Sequence, residues 1–150
     1  MEPNGLFPLG RDYTWLATDA VGHVAVFTNA GQGPVPTAVL ADRRVSDYAE
    51  TLIKALPERN DFHLLVTLPR PDDFVGFARR GLFAYDWQDC HRDTGWSRRY
   101  ELLACPNVPI TVEELAEELA ALIRMVRFRS LRFADCRAVA PEDHVECVQA

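Results

Sequence analysis

The sequence predicts an α+β fold, a largely antiparallel sheet of about six strands with three helices in the order ββαβαββαβ. Three observations carry that expectation. Two segments rich in aromatic and β-branched residues flank a four-residue turn, and three segments place apolar residues at helical spacing. Strand and helix do not alternate as a doubly wound parallel sheet requires, and no Gly-rich turn of phosphate-cradling pattern joins a strand to a helix. The 150 residues, 48% hydrophobic and 25% charged, suit one domain, 1–150, large enough to bury roughly 68–70% of the unfolded surface.

Tyr13 to Thr18 and His23 to Thr28 read as a hairpin around Asp19-Ala20-Val21-Gly22. Asp suits the first position of a type I turn, where its carboxylate bonds forward to backbone N–H, and Gly relieves the exit. Asn29 to Pro36 reads as a loop, since two prolines remove donors and two glycines weaken an extended chain. Ser46 caps a first helix carrying Tyr48, Ala49, Leu52, Ile53 and Leu56, closed by Pro57. Phe62 to Leu68 reads as a buried strand. In the second helix, from Asp72, acids lead, arginines trail and Gly81 follows, an order that complements the helix dipole and supplies a left-handed cap.

Leu82 to Trp87 and Tyr100 to Cys105 read as strands joined by the polar stretch Gln88 to Arg99. Thr111-Val112-Glu113-Glu114 matches a capping box and predicts a long third helix with Leu115, Ala116, Leu119, Leu122, Ile123 and Val126 buried. Ser130 to Val139 reads as a last main strand, and His144 to Val148 as a short edge strand or a tail. The helices are expected to cover one face of the sheet.

The chain is acidic, with 16 basic against 22 acidic residues and a net charge of −6. That charge repels a polyphosphate and favours a neutral or basic partner over nucleic acid. No apolar run approaches the roughly 18–20 residues of a membrane span, and Met1 to Gly10 lacks the n- and h-regions of a secretory signal. Localisation in the cytoplasm, without membrane attachment, is therefore expected. Four cysteines without a C-x-x-C pair give a zinc site no local support and read as reduced packing residues.

The densest group of functional side chains is the stretch Asp86-Trp87-Gln88-Asp89-Cys90-His91-Arg92-Asp93-Thr94-Gly95-Trp96. Asp86, Asp89 and Asp93 would steer a basic partner, and Trp87 or Trp96 would supply anchor area, with His91 between them, although either tryptophan reads equally well as core. An ordinary solvated turn explains the same composition. A hydrolase reading would pair His91 with Asp89 or Asp93; adjacent Cys90 and His91 point to opposite sides of an extended chain and do not form a thiol–imidazole pair. Glu113, Glu114, Glu117 and Glu118 lack the histidines of a dimetal helix and read as an acidic face. Arg124, Arg127, Arg129, Arg132 and Arg137 are expected to pair with those glutamates. His23 and His63 are expected to be half-buried with backbone partners. No cofactor or metal is called for.

Trp15 to Phe27, continuing through Ala30-Gly31-Gln32-Gly33-Pro34-Val35-Pro36, resembles the opening of small uncharacterised bacterial proteins, some of them similar to immunity proteins of toxin systems. The resemblance covers about the first 36 residues and carries over no catalytic residue. It implies a small acidic cytoplasmic protein that occludes a toxin. The expectation is thus a protein-binding module, with a small hydrolase or metal-assisted hydrolase using the Asp86 to Trp96 loop and a structural subunit of a homo-oligomer as the alternatives.

Overall fold

The computed structural model describes residues 13–42, 50–59, 61–66, 71–87 and 98–149. Its strands are β1 (Thr14–Thr18), β2 (Val24–Thr28), β3 (Val35–Pro36), β4 (Phe62–Leu64), β5 (Phe83–Trp87), β6 (Tyr100–Pro106), β7 (Ala138–Val139) and β8 (Cys147–Val148). Helices are α1 (Thr37–Ala41), α2 (residues 50–54), α3 (Asp72–Arg79) and α4 (Glu117–Ile123). The fold is α+β. The main sheet runs β1-β2-β5-β6-β4, with β7 on the other half of the β6 edge; β3 and β8 form a separate two-stranded sheet.

The expected hairpin is present, with Thr14 opposite Thr28 and Thr18 opposite Val24. Asp19 Oδ1 accepts the N–H groups of Val21 and His23, each at 3.0 Å. Gly22 takes φ +86°, the left-handed exit a side chain would resist. Asn29 then organises the loop to Pro34: its Oδ1 accepts from Tyr13 and Gly31, and its amide donates to the Gly33 carbonyl, while Val35 and Pro36, expected in the loop, form β3 against β8.

Several expectations need correction. The sheet is mixed, because β2 and β5 are parallel neighbours with Ala25 beside Phe83; a chain that leaves β2 and crosses through α1 to α3 returns in the same direction. Among the described residues four helices replace three, the unforeseen one being α1 straight after Pro36. Phe62–Leu64 is an edge strand with His63 and Leu64 exposed, not a buried one. The capping box exists, Glu114 accepting from the Thr111 N–H at 2.8 Å, but it closes a separate 3-10 turn, Val112–Glu114. Val112 N–H is held by the Gly22 carbonyl at 2.8 Å, and Leu115 is extended, so α4 starts afresh at Glu117. Ser130 to Val139 is not one strand: a 3-10 turn at Phe133–Asp135 precedes the two residues of β7. His144 to Val148 does yield the short strand β8.

As expected, α2, α3 and α4 pack mainly on one face of the sheet, and the C-terminal third covers the other. Trp15, Phe27, Tyr85, Trp87, Tyr100 and Leu102 turn to one side and meet Phe128, Phe133 and Val139 from the C-terminal third. Leu16, Val24, Val26 and Ala84 turn to the other and meet Ile53, Phe77, Leu119 and Ile123. The two-residue alternation of β1 and β2 is therefore apolar on both sides, as in strands buried between layers. Full burial of each large apolar side chain contributes about 1.5–3 kcal/mol. On the first side the rings are also mutually oriented: Trp15 stacks on Phe27 with centroids 4.1 Å apart, and Phe27 on Tyr85 at 4.8 Å. Such pairs add roughly 0.5–1.5 kcal/mol beyond area.

Arg80, just beyond α3, has an unexpected role. Its guanidinium donates to the Leu56 carbonyl at 3.0 Å and the Gly76 carbonyl at 2.9 Å, tying the chain that leaves α2 to the body of α3. Gly81 follows at φ +95°, as the cap position requires.

Candidate functional site

The candidate stretch hangs from the paired ends of β5 and β6. Trp87 is opposite Tyr100, and Asp86 is opposite Glu101. Of the residues expected to act there, Asp86 and Trp87 are described; Asp89, His91, Asp93 and Trp96 lie outside the described residues.

Trp87 belongs to the core. It is 7% exposed, its ring lies edge-on to Tyr100 at 5.3 Å, and the loop from Asn29 closes over the pair. A Cβ on Gly33 would come within 2.7 Å of Tyr100 Oη and 2.9 Å of Trp87 Cδ2. Tyr100 Oη accepts the Trp15 indole N–H at 3.3 Å and donates to the Pro34 carbonyl at 2.8 Å, and burial pushes its phenol well above the ordinary range. The strand ends that carry residues 88–97 are thereby a stiff aromatic base.

Asp86 lies on the opposite face, half-buried. In register across four strands are Thr14, Thr28, Asp86 and Glu101. Paired residues share a face, so these form one polar row at the end of the aliphatic core. Glu101 is 2% exposed, and neither carboxylate is without a partner. Glu101 was missed in the sequence because it sits in the apolar run Leu102-Leu103-Ala104; the signal was a single carboxylate within a strand pattern, opposite Asp86.

Among the described residues no group of three or more His, Cys, Asp or Glu is placed to hold a metal ion. Cys105, Cys136 and Cys147 are free thiols. Burial pushes all three up, Cys147 to about 12, so they are held as thiols and are poor nucleophiles. Cys105 is in a strand as expected, whereas Cys136 follows a 3-10 turn. His63 is exposed. His23 is half-buried and stacks on Phe83 at 5.8 Å, but its Nδ1 has no hydrogen-bond partner, contrary to the expected backbone bond. A cavity of about 240 Å³ gathers Cys136, Asp143 and His144 beside Arg99. There Ser130 Oγ is 3.5 Å from His144 Nδ1, at the outer limit of a hydrogen bond.

The expected arginine–glutamate pairing is partial. Arg124 meets Glu117 at 3.9 Å and Arg59 meets Glu114 at 3.4 Å, both largely exposed and worth at most about 1 kcal/mol. Arg127, Arg129 and Arg132 are exposed.

No protein-family model matches the chain, and no curated protein and no solved structure matches it. No helix among the described residues is long and apolar enough to cross a membrane.

Proposed function

We propose that the protein is a binding module for a basic protein partner, an immunity protein that neutralises a cognate toxin by occlusion in the bacterial cytoplasm. The observation that carries this reading is the locked root of the β5–β6 hairpin: Trp87 and Tyr100 packed under Gly33 on one face, Asp86 beside Glu101 on the other. A recognition segment on a rigid base loses less freedom on binding, which favours affinity. Asp89 and Asp93 in the segment itself, with half-buried Asp86 at its root, favour fast association with a cationic surface. Trp87 supports the base from within, which leaves Trp96 as the aromatic anchor.

The test is co-expression and co-purification with the product of each neighbouring gene. The expected result is one stoichiometric complex whose partner is toxic alone and harmless together with this chain. Absence of a partner and of rescue removes the immunity claim; a homo-oligomer as the sole assembly replaces it with the structural alternative.

A further inference from the structure

Beside the hairpin turn, the edge of β1 and the end of α4 enclose a cavity of about 370 Å³. Residues 126–128 run parallel to β1: Thr18 N–H donates to the Val126 carbonyl at 3.0 Å and Phe128 N–H to the Thr18 carbonyl at 2.9 Å. Thr18 and Arg127 are thereby register partners with side chains on one face. Val126 and Phe128 turn into the aromatic core, so Arg127 turns the other way, to the cavity, where Arg124 from three residues earlier joins it. Glu113 forms the facing wall. Its Oε2 lies only 3.2 Å from where a Cβ on Gly22 would stand, so the glycine leaves the carboxylate its place over the turn.

Two features mark this cavity. Its charged lining is two guanidinium groups and one carboxylate, with neither Arg127 nor Glu113 in an ion pair among the described residues. Beneath it, Thr18 is 2% exposed and its hydroxyl has no hydrogen-bond partner. A buried hydroxyl left unpaired costs stability. Such a cost under a charged cavity fits a position kept for binding, since function and stability trade against each other at sites.

We propose that this cavity binds a free amino acid. Arg124 and Arg127 take the carboxylate, for which the planar guanidinium fork is suited. Glu113 takes the ammonium and disfavours a phosphate dianion. Thr18, which also lines the cavity, has an unpartnered hydroxyl to donate to the second carboxylate oxygen. Ala20, Val21 and Val112 leave an apolar wall for a small side chain. This site is separate from the β5–β6 hairpin and does not depend on the function proposed above.

The test is calorimetric titration of the whole protein with free amino acids, their N-acetyl forms, acetate and inorganic phosphate. At least one small amino acid is expected to saturate the protein, with acetate and the N-acetyl form weaker by about tenfold or more, the worth of one charge-assisted contact. Arg127→Gln and Glu113→Gln, both at exposed positions, should each lower affinity by a similar factor with an unchanged circular dichroism spectrum. Thr18→Val should weaken binding while raising the melting temperature. Phosphate binding more tightly than any amino acid overturns the proposal, as does no saturation at millimolar concentration, or affinity unmoved by the Arg127 and Glu113 variants.

Discussion

The Asp19 carboxylate accepts the Phe133 backbone N–H at 2.8 Å across 114 positions of sequence, while its other oxygen holds the N–H groups of Val21 and His23. One fully buried side chain thus shapes the first hairpin and pins the C-terminal third against it. Asp19→Ala would orphan one buried and two part-buried backbone donors and is expected to cost about 3 kcal/mol or more, since each hydrogen bond to a charged group contributes roughly 1.5–3 kcal/mol. Asp19→Asn keeps one accepting oxygen and should cost less. Urea unfolding of the two variants checks the order; equal stability of Asp19→Ala and wild type would contradict it.

The base under residues 88–97 is open to a similar check. Tyr100→Phe leaves the Trp15 indole N–H and the Pro34 carbonyl unpaired, at about 1–3 kcal/mol. Gly33→Ala pushes a methyl into Tyr100 and Trp87, an overpacking cost of roughly 1–3 kcal/mol. Both variants should also shift the tryptophan emission of the folded protein.

Thr18→Val has the opposite sign. Replacing an unpaired buried hydroxyl by a methyl of similar shape removes a desolvation penalty, so the variant is expected to be about 1 kcal/mol more stable. Denaturant midpoints measured without ligand decide the matter, and a destabilised variant would mean that the hydroxyl has a partner.

Burial of the phenols of Tyr85 and Tyr100 and of the Cys147 thiol makes alkali destabilising. Each is raised above its ordinary value, Cys147 from 9.0 to about 12. The folded form therefore keeps protons the unfolded form has released. Stability from Cys147 is complete below pH 9.0 and is lost as pH climbs from there through about 12. Unfolding free energy should fall across that window, and less steeply in Cys147→Val. In a Cys90→Ser background, the remaining thiols should react slowly with a disulfide reagent at pH 8 and quickly once denaturant is added.

What the sequence revealed was local. Asp19 and Gly22 define their turn by short-range chemistry, and Asp72, Asp73, Arg79 and Gly81 bracket α3 by the helix dipole and the left-handed cap. What it hid was tertiary. Nothing near Val112 announces that its N–H belongs to Gly22, so the capping box predicted a longer helix than forms. Leu131, Phe133 and Val139 read as a strand because they are apolar, yet the Phe133 N–H is claimed by Asp19 and its ring by Phe27 at 6.0 Å. Trp87 reads equally as anchor or as core from its own neighbours, because nothing beside it announces that the loop from Asn29 covers it. The Thr18–Arg127 pairing joins residues 109 positions apart, and neither belongs to a local pattern.

The central claim is recognition of a basic protein through the segment held by Trp87 and Tyr100. Its most direct measurement is the association and dissociation rates of the co-purified partner against wild type, Asp89→Asn with Asp93→Asn, and Trp96→Ala, over a range of salt. Slower association in the double variant, loss of that difference at high salt, and faster dissociation in Trp96→Ala are the predicted results. Rates indifferent to all three substitutions, or turnover of a substrate that disappears in His91→Ala, would contradict the account.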